Sequence, residues 1–213
     1  MIVEEKALMG AMKRDYKEAG YEIAGYSVGE EKFIMIHGAG YVAELPVKNV
    51  SRKLLALIVE HLGMIPGPGE AATAKKKAEV QMEVADLTLE IAREMDTAMD
   101  HADINRSSFS RTRMTCNGME IWQNPRTLQT ILVDPELTNQ AAATELPVLV
   151  EGKAMVWAGT MSRLAIMIHR NTPAEDNTMR ILSQYQWKEE GIYETREHED
   201  EGILENGGGE DVY

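Results

Sequence analysis

Apolar and polar positions change their period several times along the chain, and each change marks a predicted element. Over residues 4–19, Leu8, Met12, Tyr16 and Ala19 recur every three or four positions, which is one face of an amphipathic helix, and Gly20 stands where a left-handed cap would end it. The period then falls towards two. Tyr21–Val28, Lys32–His37 and Tyr41–Leu45 are rich in Tyr, Ile, Phe and Val, and Gly29-Glu30-Glu31 and Gly38-Ala39-Gly40 supply turns, so a three-stranded meander is expected, closed by Pro46. A second helix through Leu54, Leu55, Ile58 and Leu62 has Asn49 or Ser51 as its cap and Gly63 as its stop. Residues 1–63 therefore read as one α-β-β-β-α unit.

Met64-Ile65-Pro66-Gly67-Pro68-Gly69 breaks every period, and residues 64–69 are expected to form a linker. Helical spacing returns over residues 70–104, where Val80, Val84, Leu87 and Ile91 form an apolar stripe. Beside it runs a row of carboxylates, Glu79, Glu83, Asp86, Glu90 and Glu94. This long amphipathic helix is the expected centre of the chain. Residues 105–191 then turn to β. Thr112–Cys116 and Met119–Gln123 flank Asn117-Gly118, the signature of a type I′ hairpin, and Leu128–Val133, Pro147–Val150, Ala154–Trp157 and Leu164–His169 are further strand candidates. Thr172-Pro173-Ala174-Glu175 has the capping-box pattern, starting a helix that carries Met179, Leu182 and Tyr185 inward and stops at Gly191. Residues 192–213 have little to bury and many like charges, so they are expected to be disordered or ordered by a partner. The fold class is α+β: an N-terminal helix–meander–helix unit, a long helix, and a C-terminal antiparallel sheet with one helix.

Composition changes this picture mainly through charge. A hydrophobic content of 44% suffices for a proper core in 213 residues. The net charge of −13 is uneven: residues 64–105 carry 4 basic and 9 acidic groups, residues 171–213 carry 3 and 12, and residues 106–170 carry 7 and 5. Such a protein is repelled by bulk nucleic acid and drawn to basic surfaces. The longest apolar run, Leu54–Val59, is too short to span a bilayer, and MIVEEK has acids where a secretory signal needs positive charge. A cytoplasmic, membrane-free setting is expected. Cys116 is the single cysteine and reads as a small strand hydrophobe.

Several patterns imitate catalytic or binding motifs. Gly25-Tyr26-Ser27-Val28-Gly29 fits the nucleophile pattern G-x-S-x-G, but a strand–turn–strand context lacks the elbow that exposes a serine. Gly67-Pro68-Gly69-Glu70-Ala71-Ala72 fits a dinucleotide fingerprint, yet a helix precedes it and Glu70 puts charge where pyrophosphate would sit. The carboxylate row, continued by Asp96, Asp100, His101 and Asp103, could grip magnesium as in a nucleotide pyrophosphohydrolase, although such sites need a second acidic helix. His37, His61, His101, His169 and His198 show no metal spacing. Arg106, Arg111 and Arg113, with Phe109, are candidates for phosphate contact, and internal or intersubunit salt bridges explain them equally well. No metal or cofactor is expected.

The stretches EKALMGAMKRDYKEAGYEIA and NVSRKLLALIVEHLGMIPGPGE resemble the N-terminal part of small proteins carried by phages and mobile elements of Gram-positive gut bacteria. The resemblance covers about the first 70 residues. It implies a setting in which accessory genes encode non-enzymatic inhibitors of host defence, including anti-CRISPR proteins that block Cas9. The first expectation is thus an acidic binding protein whose partner has a basic surface, a Cas9-type nuclease being the candidate. The contact residues would be Glu79, Glu83, Asp86, Glu90 and Glu94, with Glu197, Glu199, Asp200 and Glu201 of the tail. The alternatives are the magnesium-dependent hydrolase and a virion structural protein. The Val80–Ile91 stripe would serve either to pair two copies as a homodimer or to cover a sheet.

Overall fold

The computed structural model describes residues 2–75, 108–141, 146–150, 153–159 and 162–184. Helix α1, Glu5–Lys17, forms as its period predicts, turning Leu8, Ala11 and Met12 into the core, and Gly20 follows with φ +80°. Strands β1 (Tyr21–Val28), β2 (Glu31–Gly38) and β3 (Tyr41–Pro46) make the expected antiparallel meander. After a single 3₁₀ turn at Val47–Asn49, helix α2 (Arg52–Leu62) is capped by Ser51, whose hydroxyl accepts from the Leu54 amide. Gly63 ends α2 in the left-handed conformation that glycine adopts without steric cost.

Residues 64–69 are not a free linker. The Gly25 carbonyl accepts from the Gly69 amide at 2.8 Å, and the Gly25 amide donates to the Glu70 carbonyl at 2.9 Å. This approach requires glycine at 25, because a Cβ there would lie 2.4 Å from the carbonyl oxygens of Pro66 and Gly67. Two imitation motifs thus have one explanation. Gly25 belongs to the apparent nucleophile pattern and Gly67 to the apparent fingerprint, and the two close on each other.

The predicted helix start is also corrected. Residues Ala71–Ala74 form strand β4, pairing antiparallel with Tyr21–Ala24 of β1, with Ala74 fully buried. Alanine has high helix propensity, but the free edge of β1 offers backbone partners at four positions. The remainder of the expected helix, with its Val80–Ile91 stripe, lies outside the described residues, so a long central helix is not shown.

The second half of the chain divides between two sheets. Strands β5 (Ser110–Cys116), β6 (Met119–Gln123) and β7 (Thr130–Val133) form a three-stranded antiparallel sheet, with Asn117 and Gly118 both at positive φ in the predicted hairpin turn. A one-turn helix α3 (Pro135–Thr138) follows, capped by Asp134. Strands β8 (Val148–Val150), β9 (Ala154–Ala158) and β10 (Arg163–Met167) join the N-terminal meander. The resulting seven-stranded antiparallel sheet has the order β4-β1-β2-β3-β10-β9-β8. Strand β3 is buried at all six positions, which is the pattern of an interior strand, and β10 supplies its second neighbour. The expected single sheet over residues 105–191 is therefore replaced by this split. Helix α4 (Pro173–Leu182) has the full capping box between Thr172 and Glu175 and ends at Ser183, well before Gly191. With β5–β7 it forms the C-terminal sheet-plus-helix layer, in which Ile121, Leu132 and Met179 are buried with Cys116 and Leu182 against them.

The main core lies on one face of the large sheet. Ile23, Ile36, Ala43, Leu164 and Trp157 form a continuous cross-strand row there, covered by Leu8 and Met12 of α1 and Leu54 and Ile58 of α2. At its far end Trp122 of β6 meets Trp157 edge-on, with ring centroids 5.8 Å apart, so the small sheet packs on this face too.

Candidate functional site

The acids singled out in the sequence, Glu79, Glu83, Asp86, Glu90, Glu94, Glu197, Glu199, Asp200 and Glu201, lie outside the described residues, as does Arg106. The described residues carry 16 basic and 15 acidic side chains, a net of +1, while the remaining residues carry 6 and 20, a net of −14. Two strongly acidic segments account for most of this excess: residues 76–107 with 8 acidic and 4 basic groups, and residues 185–213 with 10 and 2. The acid excess is concentrated in residues 76–107 and 185–213.

Of the three candidate arginines, Arg111 lies in strand β5 and not in a loop. Its Nε lies 3.1 Å from Glu120, a terminal nitrogen donates to Thr138 at 3.1 Å, and its guanidinium stacks over Trp122. Glu120 also accepts from the indole of Trp122 and the hydroxyl of Thr138. Arg111 is thereby held against the protein with its side chain 40% exposed, tying the small sheet to α3. Arg113, by contrast, is exposed, and has φ +62° where the β5–β6 register shifts. The bulge aims it outward.

Three buried polar arrangements escaped the sequence reading. In the first, Asp15 is almost fully buried at the end of α1, where its carboxylate accepts from the Ala39 amide of the β2–β3 turn. Burial raises its pKa above the ordinary value, opposed by the Ala39 amide, the Tyr41 hydroxyl and the Arg14 charge. Tyr41 in turn packs on Gly38, where a Cβ would fall 2.1 Å from its ring, so this turn accepts no larger residue. Beside it, His61 of α2 stacks flat on Tyr16 at 3.9 Å, and its Nδ1 lies 2.7 Å from the Tyr21 hydroxyl. Burial raises the pKa of Tyr21 and lowers that of His61.

The second arrangement lies on the opposite face of the large sheet. Glu44 of β3 and Arg163 of β10 are direct cross-strand partners, with Arg163 Nε 2.7 Å from Glu44 Oε1 and a second contact between Nη2 and Oε2. The Tyr26 hydroxyl faces this pair, and its pKa is raised by burial and by the Glu44 carboxylate. Nearby on the same face His37 is buried, with neither ring nitrogen hydrogen-bonded, and its pKa is lowered by burial. In the third, Glu175 gathers the Thr172 amide at 2.7 Å, the Asn117 side chain at 2.8 Å and His169 at 3.3 Å. These donors, the Thr172 amide first, pull its pKa down to about 2.

Each arrangement joins separate elements: α1 to the β2–β3 turn, β3 to β10, and the β5–β6 turn to α4. None has a nucleophile with an adjacent base in an open cleft, and their chemistry is that of structural cross-links. Ser27 sits near the end of β1 at the β1–β2 hairpin, without the strand-to-helix elbow. Among the described residues no three His, Cys, Asp or Glu side chains stand together as a metal site, and no helix is long and apolar enough to cross a membrane. Comparison of the chain with protein-family models, with curated proteins and with solved structures finds no match.

Proposed function

We propose that this protein is a non-enzymatic binding protein of the bacterial cytoplasm that offers acid to a basic groove of a nucleic-acid-handling defence enzyme, with a Cas9-type nuclease as the candidate partner. The observation that carries the reading is the concentration of charge: residues 76–107, with 4 basic and 8 acidic groups, and residues 185–213, with 2 and 10, together hold −12 of the chain's net −13. Selection for solubility alone would spread acid over the whole surface. Concentrating it in two segments gives a ligand for a channel built to hold phosphates. Five carboxylates at helical spacing, Glu79 to Glu94, imitate a row of phosphate charges, and the tail adds Glu197, Glu199, Asp200 and Glu201.

Association of this kind is fast, weakens with salt, and competes with nucleic acid. The test is competition between the full chain and guide RNA or target DNA for a purified Cas9-type nuclease. The triple variant Glu83→Lys, Asp86→Lys, Glu90→Lys is compared at equal thermal stability. Loss of inhibition in the variant supports the reading. Retained potency, or release of pyrophosphate from nucleoside triphosphates on adding Mg²⁺, overturns it.

A further inference from the structure

Helix α2 carries more apolar side chains than the core takes. Leu54, Leu57 and Ile58 are buried, and Leu55 and Leu62 pack partly on the same core. Val59, on the outer side, is 44% exposed, and Met64 and Ile65, just past the Gly63 cap, are 42% and 38% exposed. Among the described residues six large apolar side chains are exposed, and these three fall within seven residues of sequence. A helix that is apolar on nearly every side is normally covered on every side, and a clustered exposed patch marks a contact.

The charges beside this patch indicate what covers it. Lys53 and Glu60 are exposed on one flank of Val59, two helical turns apart, about 10.5 Å along the axis, which is too far for them to pair with each other. Neither is in an ion pair among the described residues. Leu55 and Leu62, half-buried, line the opposite flank. The outer face of α2 therefore has a charged edge, a crest of Ala56 and Val59, and an apolar edge. Lys53 and Glu60 have opposite signs and stand equally far from the middle of the helix, between Ala56 and Leu57. Turned about a two-fold axis through that middle, the face matches itself: Lys53 falls opposite Glu60, and Leu55 opposite Leu62. Self-complementarity of this kind is what an isologous contact between two copies requires, and flanking charges set the orientation of paired helices in the same way.

We propose that α2 pairs antiparallel with α2 of a second copy of this chain. Ala56 and Val59 meet across the two-fold axis, the small Ala56 letting the helices approach, and Lys53 of each protomer faces Glu60 of the partner subunit. Met64 and Ile65 extend the apolar contact beyond the helix end. Two helices of 11 residues bury less surface than a permanent dimer does, so the association is reversible and depends on concentration. The inference concerns α2 and holds whatever partner the acids of the chain meet.

The test is sedimentation velocity of the full chain over a dilution series, at physiological ionic strength, where repulsion between two acidic chains is screened. The expected result is a monomer–dimer equilibrium. Lys53→Glu and Glu60→Lys each set like charges opposite one another twice, once on either side of the axis, and each should weaken the dimer about tenfold or more. An equimolar mixture of the two single variants should restore it as a heterodimer, and both substitutions in one chain should restore the homodimer. Recovery on mixing also shows that the single variants are folded. A parent chain that is monomeric at every concentration, single variants that dimerise as tightly as the parent, or a mixture and a double variant that stay monomeric overturn the proposal.

Discussion

Glu44 and Arg163 face each other across the junction between the N-terminal meander and the C-terminal strands, carboxylate to guanidinium, 119 residues apart in sequence. Their side chains are only 7% and 17% exposed. Such a pair fixes register, because a slip of one residue would place either charge on the opposite, core-facing side. Breaking it is costlier than replacing it. Arg163→Leu leaves a buried carboxylate without its partner and should destabilise the protein by about 3–5 kcal/mol. The double variant Glu44→Met with Arg163→Leu should recover most of that loss. Urea denaturation of the two variants and the parent gives the comparison, and equal losses in single and double variants would contradict the assignment.

His37 makes the fold acid-sensitive. Its ring is buried without a hydrogen-bond partner, so burial holds its folded pKa below the ordinary 6.5. The unfolded chain therefore takes up a proton first as pH falls. Stability from this group is complete above pH 6.5 and declines below it, by at most about 1.4 kcal/mol per pH unit. The melting temperature should fall between pH 7.5 and 5, and His37→Leu should flatten that fall. An identical pH profile in the variant would refute it.

Glu175 acts in a lower window. Its folded pKa of about 2 lies beneath the ordinary 4.5, so its contribution is present above pH 4.5 and disappears as pH drops towards 2. Glu175→Gln should be destabilised at pH 7 and should lose the part of the acid transition that lies between those values. Thr172→Ala, which removes the reciprocal capping bond to Glu175, should cost about 1 kcal/mol. Thermal melts at pH 7 and pH 3 test both.

Gly25 separates the packing role from the hydrolase pattern. Gly25→Val would drive a side chain into the carbonyls of Pro66 and Gly67 and should destabilise by about 2–3 kcal/mol, detaching β4 from β1. Ser27→Ala should change neither stability nor any measured activity by a comparable amount. Ester hydrolysis abolished by Ser27→Ala would restore the serine to consideration.

Local signals in the chain predicted local structure well. Gly63, the Asn117-Gly118 pair and the Thr172–Glu175 box each depend on neighbours within four residues, and each appears where expected. What escaped depends on distant residues. The helix propensity of Ala71–Ala74 was overruled by the open edge of β1, about fifty residues earlier, and no periodicity announces that a strand edge is free. Arg111 is a candidate for phosphate contact or for a salt bridge on sequence alone, and Glu120, Trp122 and Thr138 converge on it only after folding. The burial of Asp15 was hidden for the same reason, since the Ala39 amide that it accepts from comes from another element. Charge was legible as a total and as a distribution.

The order β4-β1-β2-β3-β10-β9-β8 also sets a timetable for synthesis. The meander is complete once β3 has emerged from the ribosome, but the strand that closes its open side is made 119 residues later at Arg163. At about 5–20 residues per second the nascent chain spends roughly 6–24 s with β3 unpaired on one edge and its apolar side chains within reach of other chains. Slow, non-local closure of this kind makes folding yield depend on temperature and on chaperone supply. Expression at low temperature should recover more of this protein than any change to its loops.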